Sequence, residues 1–124
     1  MGNKRIFEFK IHGETPSKKN NIKFSSHGEY KSKRFREWHK MATVELLPQR
    51  PKEPAINYPV LIKMEFTHGD KRRRDSDNGT SSILDLLVDV GILADDNYSI
   101  VRDLEITNFY DKNKSQVKIT ICEL

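Results

Sequence analysis

The sequence predicts an α+β fold: one domain over residues 1–124, elements in the order β-α-β-α-β-β, and helices packed on one face of a mixed sheet. Three observations carry this reading. A chain of 124 residues has the size of one compact domain. Apolar residues recur with a period of two in some segments and at helical spacing in others. Pro48, Pro51, Pro54, Pro59 and Gly91 punctuate the chain between them.

Ile6-Phe7-Glu8-Phe9-Lys10-Ile11 alternates and reads as the first strand. Gly13 to Ser26 is polar, rich in Lys, Asn and Ser, and reads as a loop or loose hairpin. From about Ser32 to Leu47 the spacing of Phe35, Trp38, Met41, Ala42 and Leu46 predicts a helix, with Ser32 as its N-cap and Pro48 as its end. At that spacing Phe35 and Trp38 are core residues, which leaves Phe24 and Tyr30 as the better candidates for stacking on bases. Val60–Phe66 is the second strand, and His68–Arg74 a strongly basic loop. A second helix is expected from about Asn78 to Val90, with Asp77 at its start and Gly91 as the residue that ends it. Ile83, Leu84, Leu87 and Val88 form its apolar stripe, with Asp85 and Asp89 opposite. Ile100–Asn108 and Gln116–Glu123 alternate and are expected to pair as a hairpin turned near Asp111–Asn113.

The charged share is 32% against 35% hydrophobic, which suits a small domain with much surface. Recurring apolar runs exclude disorder. Nothing approaches the roughly 20 apolar residues of a membrane span, and no signal peptide is expected. Cys122 stands alone, so no internal disulfide forms. The expectation is a soluble intracellular protein of a reducing cytosol. In its alternating tail, Cys122 reads as a small buried residue rather than a nucleophile.

Charge is divided along the chain. Residues 1–40 hold 11 Lys or Arg against 4 acids, a net of +7, whereas residues 75–105 hold 8 acids against Arg102 alone, a net of −7. The basic third suits a polyanion, and clustered carboxylates repel one unless cations intervene. Asp75 and Asp77 flank Ser76 directly after Lys71-Arg72-Arg73-Arg74, and Asp95-Asp96 follow the second helix. Two carboxylates spaced by two residues face the same way in an extended segment and can grip one hard cation. Mg²⁺ prefers such oxygen ligands, activates water and relieves phosphoryl charge. Histidines without paired spacing and one isolated cysteine exclude a zinc site, and no phosphate-cradling glycine loop or dinucleotide fingerprint is present. Both acid pairs also have ordinary readings, Asp77 as a helix cap and Asp95-Asp96-Asn97 as a turn. A helix of about 13 residues is roughly 20 Å long, so the chain must return along the sheet for Asp96 to meet Asp75 and Asp77.

Arg74-Asp75-Ser76-Asp77-Asn78, Ile83-Leu84-Asp85-Leu86-Leu87 and Asp95-Asp96-Asn97-Tyr98-Ser99-Ile100-Val101 together resemble the RusA family of Holliday junction resolvases. The likeness is close over residues 72–106 and looser over the first strand, Lys18-Lys19-Asn20 and Tyr30–Trp38. It suggests a divergent phage or prophage member. The resemblance implies a homodimeric, Mg²⁺-dependent endonuclease, with Mn²⁺ able to stand in, that makes paired nicks across a four-way DNA junction without an organic cofactor. It puts the catalytic, metal-holding acids on Asp75, Asp77 and Asp96, with Asp95 a weaker match and Asp85 a recurrent helix aspartate. Lys18, Lys19, Lys23, Lys33, Arg34, Arg72, Arg73 and Arg74 are the candidate DNA contacts, setting affinity and position rather than sequence choice. One departure stands out. The family's helix lysine, four residues after the second aspartate, is Ser81 here, and its role would pass to Lys18, Lys19 or Arg74. A non-catalytic junction-binding module and a general flap or single-strand nuclease are the competing readings.

Overall fold

Alternation along β1 (Ile6–His12) turns Phe9 and Ile11 into the core and leaves Glu8, Lys10 and His12 in solvent. This computed structural model describes residues 4–18, 22–25 and 28–124, and among these the same pattern repeats on each inner strand. A short hairpin follows: β2 (Ile22–Ser25) falls in the stretch from Gly13 to Ser26 expected to be a loop or loose hairpin, and its partner β3 (Gly28–Lys31) lies just beyond it. It forms a separate two-stranded sheet. Next come α1 (Lys33–Leu46), a 3-10 turn (Leu47–Gln49), β4 (Val60–His68), α2 (Thr80–Asp89), β5 (Val101–Tyr110) and β6 (Gln116–Glu123). The fold is α+β, as expected, with β2–β3 added to the expected order.

The main sheet runs β1-β6-β4-β5. β6 is antiparallel to both β1 and β4, and β5 is parallel to β4. The expected hairpin of the last two strands therefore does not form, because β4 lies between them. The reason is apolar content. β4 buries Val60, Ile62, Met64 and Phe66 and takes the centre, whereas β5 carries Arg102, Asp103 and Glu105 exposed and suits an edge. With β4, α2 and β5 forming a parallel crossover, α2 must run back along the sheet. Inward residues of β1, β4 and β6 meet Ala42, Leu46, Ile83, Leu86 and Leu87 of the two helices, so one face of the sheet is covered.

The Ser32 hydroxyl accepts from the Phe35 backbone N–H at 3.1 Å, the expected cap. Phe35 is 1% exposed and packs on Trp38 with ring centroids 5.5 Å apart, so both serve the core. Helix α2 starts two residues later than expected. Residues 76–79 form a turn in which Asn78 N–H donates to Asp75 O and Thr80 N–H to Asp77 O, both at 3.1 Å. Asp77 therefore does not cap the helix. The cap position is Gly79, which has no side chain to offer and no room for one: a Cβ would lie 2.9 Å from Phe66 and from Thr15. Gly91 ends the helix with φ of +79°, as its sequence position suggested. Cys122 is only half-buried, on the open face of the sheet opposite Ile6 and Leu61.

Candidate active site

The loop after β4 crosses the end of the sheet and carries the basic run and the first acid pair. Asp75 and Asp77 are exposed, and neither carboxylate makes a hydrogen bond or ion pair among the described residues. Their neighbours differ. Asp70 accepts from the Arg72 backbone N–H and from Arg74, which hold its carboxyl below the usual aspartate range. Arg74 reaches Asp70 at 2.9 Å and Glu14 at 3.1 Å, and its side chain is only 13% exposed. Its guanidinium also donates to the Asp70 and Arg72 carbonyls, and the side chain lines both hollows beside the acid turn.

Around this loop the fold gathers residues far apart in sequence. Arg34 at the start of α1 shares a hollow with Arg72, Arg73, Glu14 and Asn78, directly beside the acid turn. A larger hollow, sharing Arg72 and Arg74 with the first, is lined by His68, Lys71, Asp75, Ser76, Asn108 and Tyr110, with Lys71 Nζ 4.9 Å from the Tyr110 ring centre. Glu14, His68 and Asn108 were not singled out from the sequence. No local spacing links them, since they come from three separate segments. His68 Nδ1 lies 2.7 Å from Glu14 Oε2, its Nε2 lies 2.8 Å from Asn108 Oδ1, and Asn108 Nδ2 donates to the Ser76 carbonyl at 2.8 Å.

The remaining candidate cations fall elsewhere. Lys18 pairs with Asp85, so both are engaged with each other. Lys33 is exposed, 3.8 Å from Glu37. Lys19 and Asn20 lie outside the described residues, as do the side chains of Lys23, Phe24 and Tyr30. Ser81 is exposed on the first turn of α2, and the two described cations expected to replace the family lysine, Lys18 and Arg74, are both ion-paired.

Asp96 sits at the other end of the sheet. Residues 92–94 bridge to Ile56, and β5 then begins beside Val60, the start of β4. The Asp75–Asp77 turn is tied to Asn108, which pairs with Phe66 near the end of β4. Six residues of extended strand separate these points, about 20 Å. Asp75, Asp77 and Asp96 therefore do not meet within one chain, and among the described residues no three acidic, histidine or cysteine groups come together to hold a metal. Asp96 is nevertheless exposed, its carboxylate without a partner among the described residues, whereas Asp95 accepts from the Asp96 N–H at 2.7 Å and from Asn97 at 3.0 Å. Of the adjacent pair, Asp95 builds the turn and Asp96 is presented to solvent.

Comparison with protein families matches residues 14–122 to Endodeoxyribonuclease RusA. The chain belongs to the RusA family. The match takes in both acidic turns, the basic loop and all of the main sheet except β1 and the last residue of β6. No curated protein sequence matches the chain. RusA proteins are endodeoxyribonucleases of branched DNA, and this RusA-family chain carries Arg72, Arg73, Asp75 and Asp77 on the loop after β4 and Asp96 on the loop after α2. No described helix is long and apolar enough to cross a membrane.

Proposed function

We propose that this RusA-family protein is a Mg²⁺-dependent endonuclease that resolves four-way DNA junctions by paired nicks, acting as a homodimer. The observation that carries the reading is the contrast among its aspartates. Asp70, Asp85, Asp89, Asp95 and Asp111 are engaged, while Asp75, Asp77, Asp96 and Asp103 present carboxylates without a partner among the described residues, and of these Asp75 lines a hollow with Lys71, Arg72 and Arg74, two residues before Asp77. Clustered arginines suit phosphates, and free carboxylates beside them suit a hard cation. Such a cation would supply an activated water and relief of phosphoryl charge.

One chain does not complete the acid triad, and the fold suggests how two chains do. β5 is an edge strand, and no described strand pairs with its outer side. Antiparallel association of two β5 edges sets the start of one strand beside the end of the other. Asp96 of one copy then approaches Asp75 and Asp77 of its twin, and the two-fold axis gives two like sites for two like cuts. Leu104, Phe109 and Tyr110, each 40–49% exposed, lie on that strand.

The test is incubation of the protein with a labelled four-way junction, a flap and a linear duplex, each with Mg²⁺ or EDTA. Symmetric cuts in the junction alone, lost in EDTA, are expected. A second reading, a junction-binding module without cleavage, is favoured by Ser81 in place of the family lysine while Lys18 and Arg74 are tied up in ion pairs. Binding without cutting in Mg²⁺ would select it. Cutting of every substrate would select a general flap or single-strand nuclease.

A further inference from the structure

We infer that Asn108 is a positioning residue for the Asp75 and Asp77 carboxylates, the end of a polar chain that runs from Arg74 through Glu14 and His68. The inference rests on the nuclease reading for the reaction it serves and on geometry for the rest. The Ser76 carbonyl, midway between the two aspartates, accepts from Asn108 Nδ2 at 2.8 Å. The amide cannot be turned over without loss. Its Oδ1 faces His68 Nε2 at 2.8 Å, and a flip would set an oxygen against the Ser76 oxygen. His68 is held in turn by Glu14 Oε2 at 2.7 Å and stacks on Phe66, the rings 7° from parallel with centroids 6.3 Å apart. Glu14 Oε1 accepts from Arg74, the residue immediately before Asp75.

The acid turn is thus gripped at three points. Arg74 anchors it before Asp75, Asn108 anchors it at Ser76, and Gly79 seats it against Phe66 and Thr15 after Asp77. The bonds from Asn78 to Asp75 and from Thr80 to Asp77 lie inside the turn and shape it. They do not orient it on the sheet. Asn108 does, because it stands on β5, at the register position of Phe66. Carboxylates that must share one target need to be held to within about 0.5 Å. Residues that orient such groups from behind typically change affinity or activity by about 10–100-fold when replaced. Asn108 is itself exposed, so its replacement removes no part of the core.

The test compares the full chain with Asn108→Leu and Asn108→Asp. Leucine keeps the size and removes both hydrogen bonds, while aspartate keeps an acceptor for His68 and sets a carboxylate oxygen on the Ser76 carbonyl. Four readouts are taken: single-turnover cleavage of a labelled four-way junction, junction affinity, melting temperature, and amide hydrogen exchange at Asn78 and Thr80 without DNA. For Asn108→Leu, cleavage is expected to slow about 10–100-fold with affinity and melting temperature preserved, and with faster exchange at the turn. Asn108→Asp is expected to cut at least as slowly. Unchanged cleavage and exchange would overturn the inference, and so would a slowing matched by equal loss of affinity or melting temperature. If the unmodified chain leaves the junction uncut, the nuclease reading fails. The exchange measurement then still decides whether Asn108 holds the turn.

Discussion

Asp75-Ser76-Asp77 and Asp95-Asp96-Asn97 both offer exposed carboxylates, yet residues from across the chain hold the first and its own neighbours hold the second. Arg74, Glu14, His68 and Asn108 tie the first turn to β4, β5 and the segment after β1. Asp95 closes the second turn on the Asp96 N–H and the Asn97 side chain, and Asn97 accepts in turn from the Ser99 N–H. A turn built from local bonds survives changes elsewhere. One oriented by distant partners transmits them, so substitutions far from the first acid pair should alter cleavage more readily than those around the second.

The largest effect expected is loss of cleavage. Asp75→Asn, Asp77→Asn and Asp96→Asn should each abolish junction cutting while binding persists or tightens, since each removes negative charge facing phosphates as well as an oxygen ligand. Wild-type cutting by Asp77→Asn would sink the site. Mixing the inactive Asp77→Asn and Asp96→Asn chains sharpens the comparison of the two ends. If the ends meet between copies, a mixed dimer retains one intact site, and about a quarter of wild-type nicking should return on random re-pairing. If the triad forms within one chain, mixing restores nothing.

Arg72→Gln with Arg73→Gln should weaken junction binding and lower the slope of log affinity against log salt by about 2, as two phosphate contacts disappear. An unchanged slope would show that the hollow does not touch DNA. Asp95→Ala should cost about 1 kcal/mol at the locally built turn, read by denaturant unfolding, with less effect on cleavage than Asp96→Asn. The smallest effect belongs to Asp70. The Arg72 N–H and then Arg74 depress its carboxyl, so its contribution is present above the ordinary aspartate pKa of about 3.9 and is lost as pH falls through the lower folded value. Denaturant unfolding should therefore find the unmodified chain slightly more stable than Asp70→Asn above about pH 4, with the difference vanishing as pH falls further.

Residue order alone determined the strands of alternating apolar residues, the Ser32 cap and the end of α2 at Gly91, because each depends on neighbours within a turn or two. It also separated Phe35 and Trp38 into the core, since helical spacing puts them on one face. Only the tertiary structure decided which strands pair. Alternation in Ile100–Asn108 and Gln116–Glu123 is equally compatible with a hairpin and with β4 inserted between them, and burial of Val60, Ile62, Met64 and Phe66 selected the second. The placement of Asp77 was misread for a related reason. An Asp before a helix is a good cap in isolation, but close packing of Gly79 on Phe66 and Thr15 moved the helix start past it. Arg74 belongs to a run of like charges, and nothing local shows that Glu14, from 60 residues away, braces its guanidinium. The parallel crossover then set Asp96 at the far end of the sheet from Asp75 and Asp77, because a strand-helix-strand unit returns its chain to the end where the first strand began.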